Sequence, residues 1–109
     1  MVKPTEETDA LCQDLVRRLV PAVSPSRIIL FGSQAEGRAT PDSDLDVLLV
    51  VDRPNPRKVT AEAHRSLWGF PAPVDVVVYR PEDFETYRKD PTSFLQEVIR
   101  TGRTIYEAG

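Results

Sequence analysis

The stretch RIILFGSQAEGRATPDSDLDVLLVV, residues 27–51, decides the fold. It holds two apolar runs, Ile28-Ile29-Leu30-Phe31 and Val47-Leu48-Leu49-Val50-Val51, separated by a polar segment. A run that is apolar at both odd and even positions has no face to give to water. Each run therefore reads as a strand buried on both sides. The first strand, Arg27 to Phe31, ends on Gly32-Ser33. Gly37 and Pro41 mark Gln34 to Ser43 as a turn-rich connection. The second strand runs from Asp44 to Val51 and opens on two carboxylates, Asp44 and Asp46.

The flanking chain supplies helices. Leu11, Leu15 and Leu19 recur every fourth residue, and Cys12, Val16, Val20 and Val23 widen their stripe. The spacing predicts a helix from Thr5 to Val20, broken by Pro21 and Pro25. Asn55-Pro56 reads as an N-cap followed by proline at the first helical position. A second helix is expected from Pro56 to Trp68, with Val59, Ala63, Leu67 and Phe70 inward. Val74 to Tyr79 is a third strand whose only charge is Asp75. Pro81-Glu82-Asp83 opens a short helix through Tyr87. A last helix starts at either Asp90-Pro91 or the capping box Ser93-x-x-Gln96. Its stripe is Phe94, Leu95, Val98 and Ile99, and Gly102 is its expected C′ residue. Thr104 to Tyr106 reads as a final short strand or a tail. Strands and helices thus interleave in a small α/β domain, residues 1–109, with no internal repeat and no linker.

The bulk numbers restrict the function. A chain of 109 residues has room for one core. The net charge of −3 opposes a grip on duplex DNA through many phosphate contacts. It leaves a nucleotide possible, because a bound cation supplies positive charge locally. The single cysteine, Cys12, reads as a small core residue. Nothing at the N-terminus resembles a secretory leader, and no apolar run approaches the ~20 residues that span a bilayer. A cytoplasmic protein without membrane contact is the expectation.

Asp44 and Asp46 stand two apart, so an extended strand projects both carboxylates to one face. Two adjacent carboxylates repel unless a positive charge lies between them. A hard cation with oxygen ligands, such as magnesium, answers that need. Asp75 is another charge in an otherwise apolar strand and calls for a partner. If its strand lies beside the second one, the three carboxylates can meet. Three acidic ligands can hold two divalent ions about 3.5–4 Å apart, the arrangement for in-line phosphoryl chemistry. Gly32 lets the backbone turn and approach a ligand closely. Its N–H group and the Ser33 hydroxyl can then cradle phosphate oxygens.

Phe31-Gly32-Ser33, Gly37 and Ser43-Asp44-Leu45-Asp46, followed by Val47 to Val50, resemble the signature of the DNA polymerase β-type nucleotidyltransferases. The spacing Gly-Ser-x10-Asp-x-Asp is similar to that of the minimal members, the MNT or MntA-like antitoxins. Asp75 matches the family's third carboxylate. The resemblance implies a small mixed β-sheet with helices packed on it, magnesium, and ATP as substrate. Asp44, Asp46 and Asp75 would be metal-binding and catalytic, with Asp75 as general base, and Gly32 and Ser33 would hold phosphates. It further implies transfer of AMP to a tyrosine hydroxyl of a HEPN-domain toxin, the partner in a toxin–antitoxin pair. Two other readings are an antitoxin that masks its toxin without chemistry, and a subunit that modifies a small molecule such as an aminoglycoside. Arg38 is the only basic residue between Gln34 and Ser43, beside an acidic Glu36. It is therefore the candidate partner for phosphate charge. Asp42 and Ser43 read as turn residues, and His64 as a surface residue. Trp68, Phe70 and Tyr79 read as core or partner-interface residues, and Arg17 and Arg18 as solvated charges.

Overall fold

The computed structural model describes residues 4–32 and 44–108. Its first element is helix α1, Pro4–Val23. Cys12, Leu15, Leu19 and Val23 of this helix are buried, as the four-residue spacing requires. The helix runs through Pro21 rather than stopping before it. A proline in the last turn removes a single hydrogen bond, while the extra turn buries Val23. Ser24 then ends the helix in the left-handed region (φ 50), with its N–H donating to the Val20 carbonyl at 2.9 Å.

Strands β1 (Arg27–Phe31), β2 (Leu45–Val50), β3 (Val74–Tyr79) and β4 (Arg103–Glu107) form one sheet in the order β3-β2-β1-β4. β1 is antiparallel to both β2 and β4, and β2 is parallel to β3. The sheet is therefore mixed, and the two continuous apolar runs occupy its centre. On one face, Ile28, Leu30, Leu45, Val47 and Leu49 pack against α1 and helix α2 (Pro56–Ser66). On the other, Ile29, Leu48 and Val50 pack against Phe84 of α3 (Pro81–Tyr87) and Leu95 and Val98 of α4 (Phe94–Thr101). This three-layer arrangement explains why both parities of the central strands are apolar apart from Arg27 at the start of β1 and Asp46 near the start of β2.

Local signals behave as their chemistry demands. The Asn55 side chain accepts from the Lys58 N–H, and Pro56 follows at the first helical position. α4 uses the second of its two possible starts: the Ser93 hydroxyl accepts from the Gln96 N–H at 3.3 Å. Burial pushes the Cys12 thiol upward, outweighing the lowering by Arg103, which also bonds Asp9 at 2.8 Å. Cys12 is the small core residue expected.

Several expectations need correction. α2 stops at Ser66, two residues early, and Trp68 is 89% exposed, so it is no core residue. Arg18 is not simply solvated. Its guanidinium donates to the Trp68 carbonyl at 2.9 Å and stacks over Phe70, tying α1 to the turn after α2. Phe94 and Ile99 stay exposed, while Leu95 and Val98 carry the buried stripe of α4. A two-turn helix lying on a sheet buries only its inner edge. Gly102 is not left-handed (φ −86). It is glycine for space: a Cβ there would run into the Val98 carbonyl and lie 2.9 Å from both Ile29 Cγ2 and the Leu30 carbonyl. None of the described helices is long and apolar enough to cross a membrane.

Leu48 is fully buried in the middle of the sheet. Leu48→Ala should lower the unfolding free energy by about 2–5 kcal/mol. Trp68→Ala should change it by no more than about 0.5 kcal/mol. Urea titrations of the two variants against the parent chain measure both.

Candidate active site

The site forms where β1 ends and β2 and β3 begin. Register places Phe31 opposite Asp46, and Asp46 beside Asp75, in a single row across three strands. Strand parity puts this row on the face of Leu48 and Val50, the side covered by α3 and α4. The Leu45 N–H donates to the Pro73 carbonyl at 2.9 Å, which locks the mouth of β2 to that of β3. The positions of the carboxylates are thus set by ladder hydrogen bonds.

Gly32 closes the row. Its φ of +80 turns the chain immediately after β1. A Cβ at this position would collide with Oδ2 of Asp46. The bare Cα and the carboxylate therefore touch, and only glycine satisfies both the conformation and the space.

The electrostatics follow from this packing. Asp46 is half-buried, and Asp44 and Asp75 are exposed. Burial raises the Asp46 carboxyl above the usual carboxylate range. Repulsion by Asp75, then by Asp44, and a hydrogen-bond contact with Asp75 raise it further. No ion pair between described residues includes Asp44, Asp46 or Asp75. A sheltered carboxylate flanked by two others, with no such cation, suits a divalent ion in its donor chemistry.

The expectations for these residues met different outcomes. Asp46, Asp75 and Gly32 are brought together. Asp44 is near enough to act on Asp46, but it precedes the strand, because pairing starts at Leu45↔Val74. Strand pleat therefore does not aim its side chain. Among the described residues no three His, Cys, Asp or Glu side chains converge as a ready-made ligand cage. The close unit is the Asp46–Asp75 pair. Asp75 also differs from its expected setting. β3 is an edge strand, so the Asp75 side chain is exposed rather than enclosed in an apolar run. Ser33, Glu36, Arg38, Asp42 and Ser43 lie outside the described residues. The alignment of Phe31 with the two carboxylates was not visible beforehand, because cross-strand register is not written in strand patterns.

With this geometry in place, the comparisons are direct. Residues 12–101 match the nucleotidyltransferase domain family, and the chain belongs to it. No curated protein sequence matches. Among solved structures, a toxin–antitoxin crystallised with AMP-PNP is similar at 21% identity and a TM-score of 0.61, covering 92% of this chain and 73% of that one. A tri-AMPylated Shewanella oneidensis HEPN toxin in complex with its MNT antitoxin is similar at 18% identity and 0.55, covering 95% and 73%. The toxin–antitoxin MntA-HepT is similar at 18% and 0.54, covering 94% and 73%. At such identities the likeness establishes the mixed-sheet nucleotidyltransferase fold.

Two outcomes follow from the packing of Gly32 on Asp46. Gly32→Ala should cost about 1–3 kcal/mol of stability through the left-handed backbone alone, measured by urea unfolding. The second concerns pH. The folded-state carboxyl of Asp46 is raised, so its contribution to stability is full below its unfolded value and fades as pH rises through the folded value. In metal-free buffer, Asp46→Asn should therefore raise the thermal midpoint at pH 7 and leave it little changed near pH 3. Added magnesium should stabilise the parent chain and not the variant.

Proposed function

We propose that this chain is a magnesium-dependent adenylyltransferase that moves AMP from ATP to a tyrosine hydroxyl of a HEPN-type toxin, acting as its antitoxin. The observation that carries this reading is the Gly32 backbone pressed against Asp46, in one row with Asp75. A backbone turn able to approach phosphates closely sits against a carboxylate that gains from a cation. Phosphoryl-group chemistry needs those two parts side by side. The family membership and the toxin–antitoxin structures of the same fold support it.

In this reading Asp44 and Asp46 hold the metal and Asp75 completes the site. Bound magnesium supplies charge neutralisation to the triphosphate. Gly32 and Ser33 hold phosphate oxygens by N–H and hydroxyl donors, and Arg38 balances phosphate charge. Asp75 receives the proton of the acceptor hydroxyl. The freed oxygen bonds to the α-phosphorus, the bond from that phosphorus to the bridging oxygen breaks, and pyrophosphate leaves. The exposure of Asp75 on an edge strand suits this role, since an acceptor on another protein can reach it.

A second reading has one observation in its favour. Three ligating side chains do not converge among the described residues. An antitoxin that only masks its toxin needs no such convergence.

One experiment separates them. The chain is incubated with ATP labelled at the α-phosphate, magnesium and the product of the neighbouring gene. Label should appear on a tyrosine of that protein and fall about 100-fold or more with Asp44→Ala plus Asp46→Ala. Neutralisation of the toxin in cells should be lost with the label. Undiminished neutralisation by a folded, unlabelled double variant would establish masking instead.

A further inference from the structure

The row that carries Asp46 and Asp75 has an aromatic third member. Phe31 stands directly across from Asp46 on the same sheet face. Directly opposed residues in an antiparallel pair have Cβ atoms about 4.5–5.5 Å apart. Against Phe31 stands the ring of Phe94, the first residue of α4. Its centroid is 5.6 Å from that of Phe31 and its plane is turned by 78°. In such an edge-to-face contact Phe31 braces Phe94 and takes up at most one of its two faces. Phe94 remains 50% exposed, although the adjacent Leu95 is fully buried. A braced ring with surface left to solvent thus stands one side chain away from the carboxylate row.

A nucleotide has a charged end and a planar, uncharged end. Its phosphates suit Gly32 and a cation on the carboxylates. Its base requires a place within a sugar's reach that is apolar and not anionic. We propose that Phe94, braced by Phe31, is the seat on which the nucleobase stacks. This rests on the nucleotidyl-transfer reading above. Stacking uses the π-face, which every base presents, so Phe94 selects a planar ring without reading which base it is.

The test measures binding of ATP, GTP and inorganic tripolyphosphate, each with magnesium, to the full-length chain and its Phe94 variants by calorimetry. Phe94→Ala should weaken ATP and GTP alike by roughly 5- to 100-fold and leave tripolyphosphate unchanged. Phe94→Tyr should bind within about 3-fold of the parent, and Phe94→Leu, apolar but not planar, should behave as the alanine variant. Equal ATP affinity in the parent and Phe94→Ala overturns the proposal and leaves nucleotidyl transfer standing. If that variant instead raises KM for the acceptor protein alone, the ring serves the acceptor. Equal weakening of ATP and tripolyphosphate also overturns it, since the loss is then in the phosphate site. A parent chain that binds neither nucleotide nor tripolyphosphate overturns the transfer reading and this proposal together.

Discussion

β2 is the member on which the rest of this protein depends. It pairs with β1 on one side and β3 on the other, and Leu45 and Val47 to Val50 are buried between two helical layers. Burial on both faces leaves no freedom of register, because a shift of one residue would exchange the packing of both layers at once. That constraint reaches the first turn of the strand, where Asp46 is the one polar residue in the run. Its position relative to Phe31 and Asp75 is therefore as well determined as the core itself.

The same constraint has an electrostatic cost. A carboxylate held half-buried between two others is less comfortable than one in water, so burial and its neighbours push the Asp46 carboxyl above the usual carboxylate range. Gly32 is fitted so closely to it that no side chain can intervene. A carboxylate held this way gains from a nearby positive charge, which is the physical basis of the metal role proposed for it. The hydrophobic layers on either side make that affordable.

Much of this was legible in the residues. Unbroken apolar runs marked the central strands, since only a strand covered on both sides can be apolar at every position. Asn55-Pro56 and Ser93 marked helix starts through the backbone donors they satisfy or omit. Gly32 and the Asp-x-Asp spacing pointed to the strand ends where Gly32, Asp46 and Asp75 meet. The errors had a common cause. Pro21, Phe94, Trp68 and Asp75 were judged by their own chemistry, whereas their outcomes depended on what lies beside them. Pro21 falls in a last turn that the core rewards. Trp68 lies exposed in the turn after α2, and Phe94 meets the sheet at Phe31 but stays exposed. Asp75 lies on an edge strand.

By itself, the amino-acid sequence determined the order of the elements, most of the residues that fill the core, and which residue types could serve a nucleotide and a cation. Those properties follow from periodicity and from side-chain chemistry, which are local. Tertiary structure alone decided that Phe31, Asp46 and Asp75 form one row, that Asp44 stands just outside the ladder, and that Phe94 is braced yet exposed. Strand order and register are choices among pairings of distant segments. They are settled only when the two helical layers close over the sheet, and no short-range pattern encodes that closure.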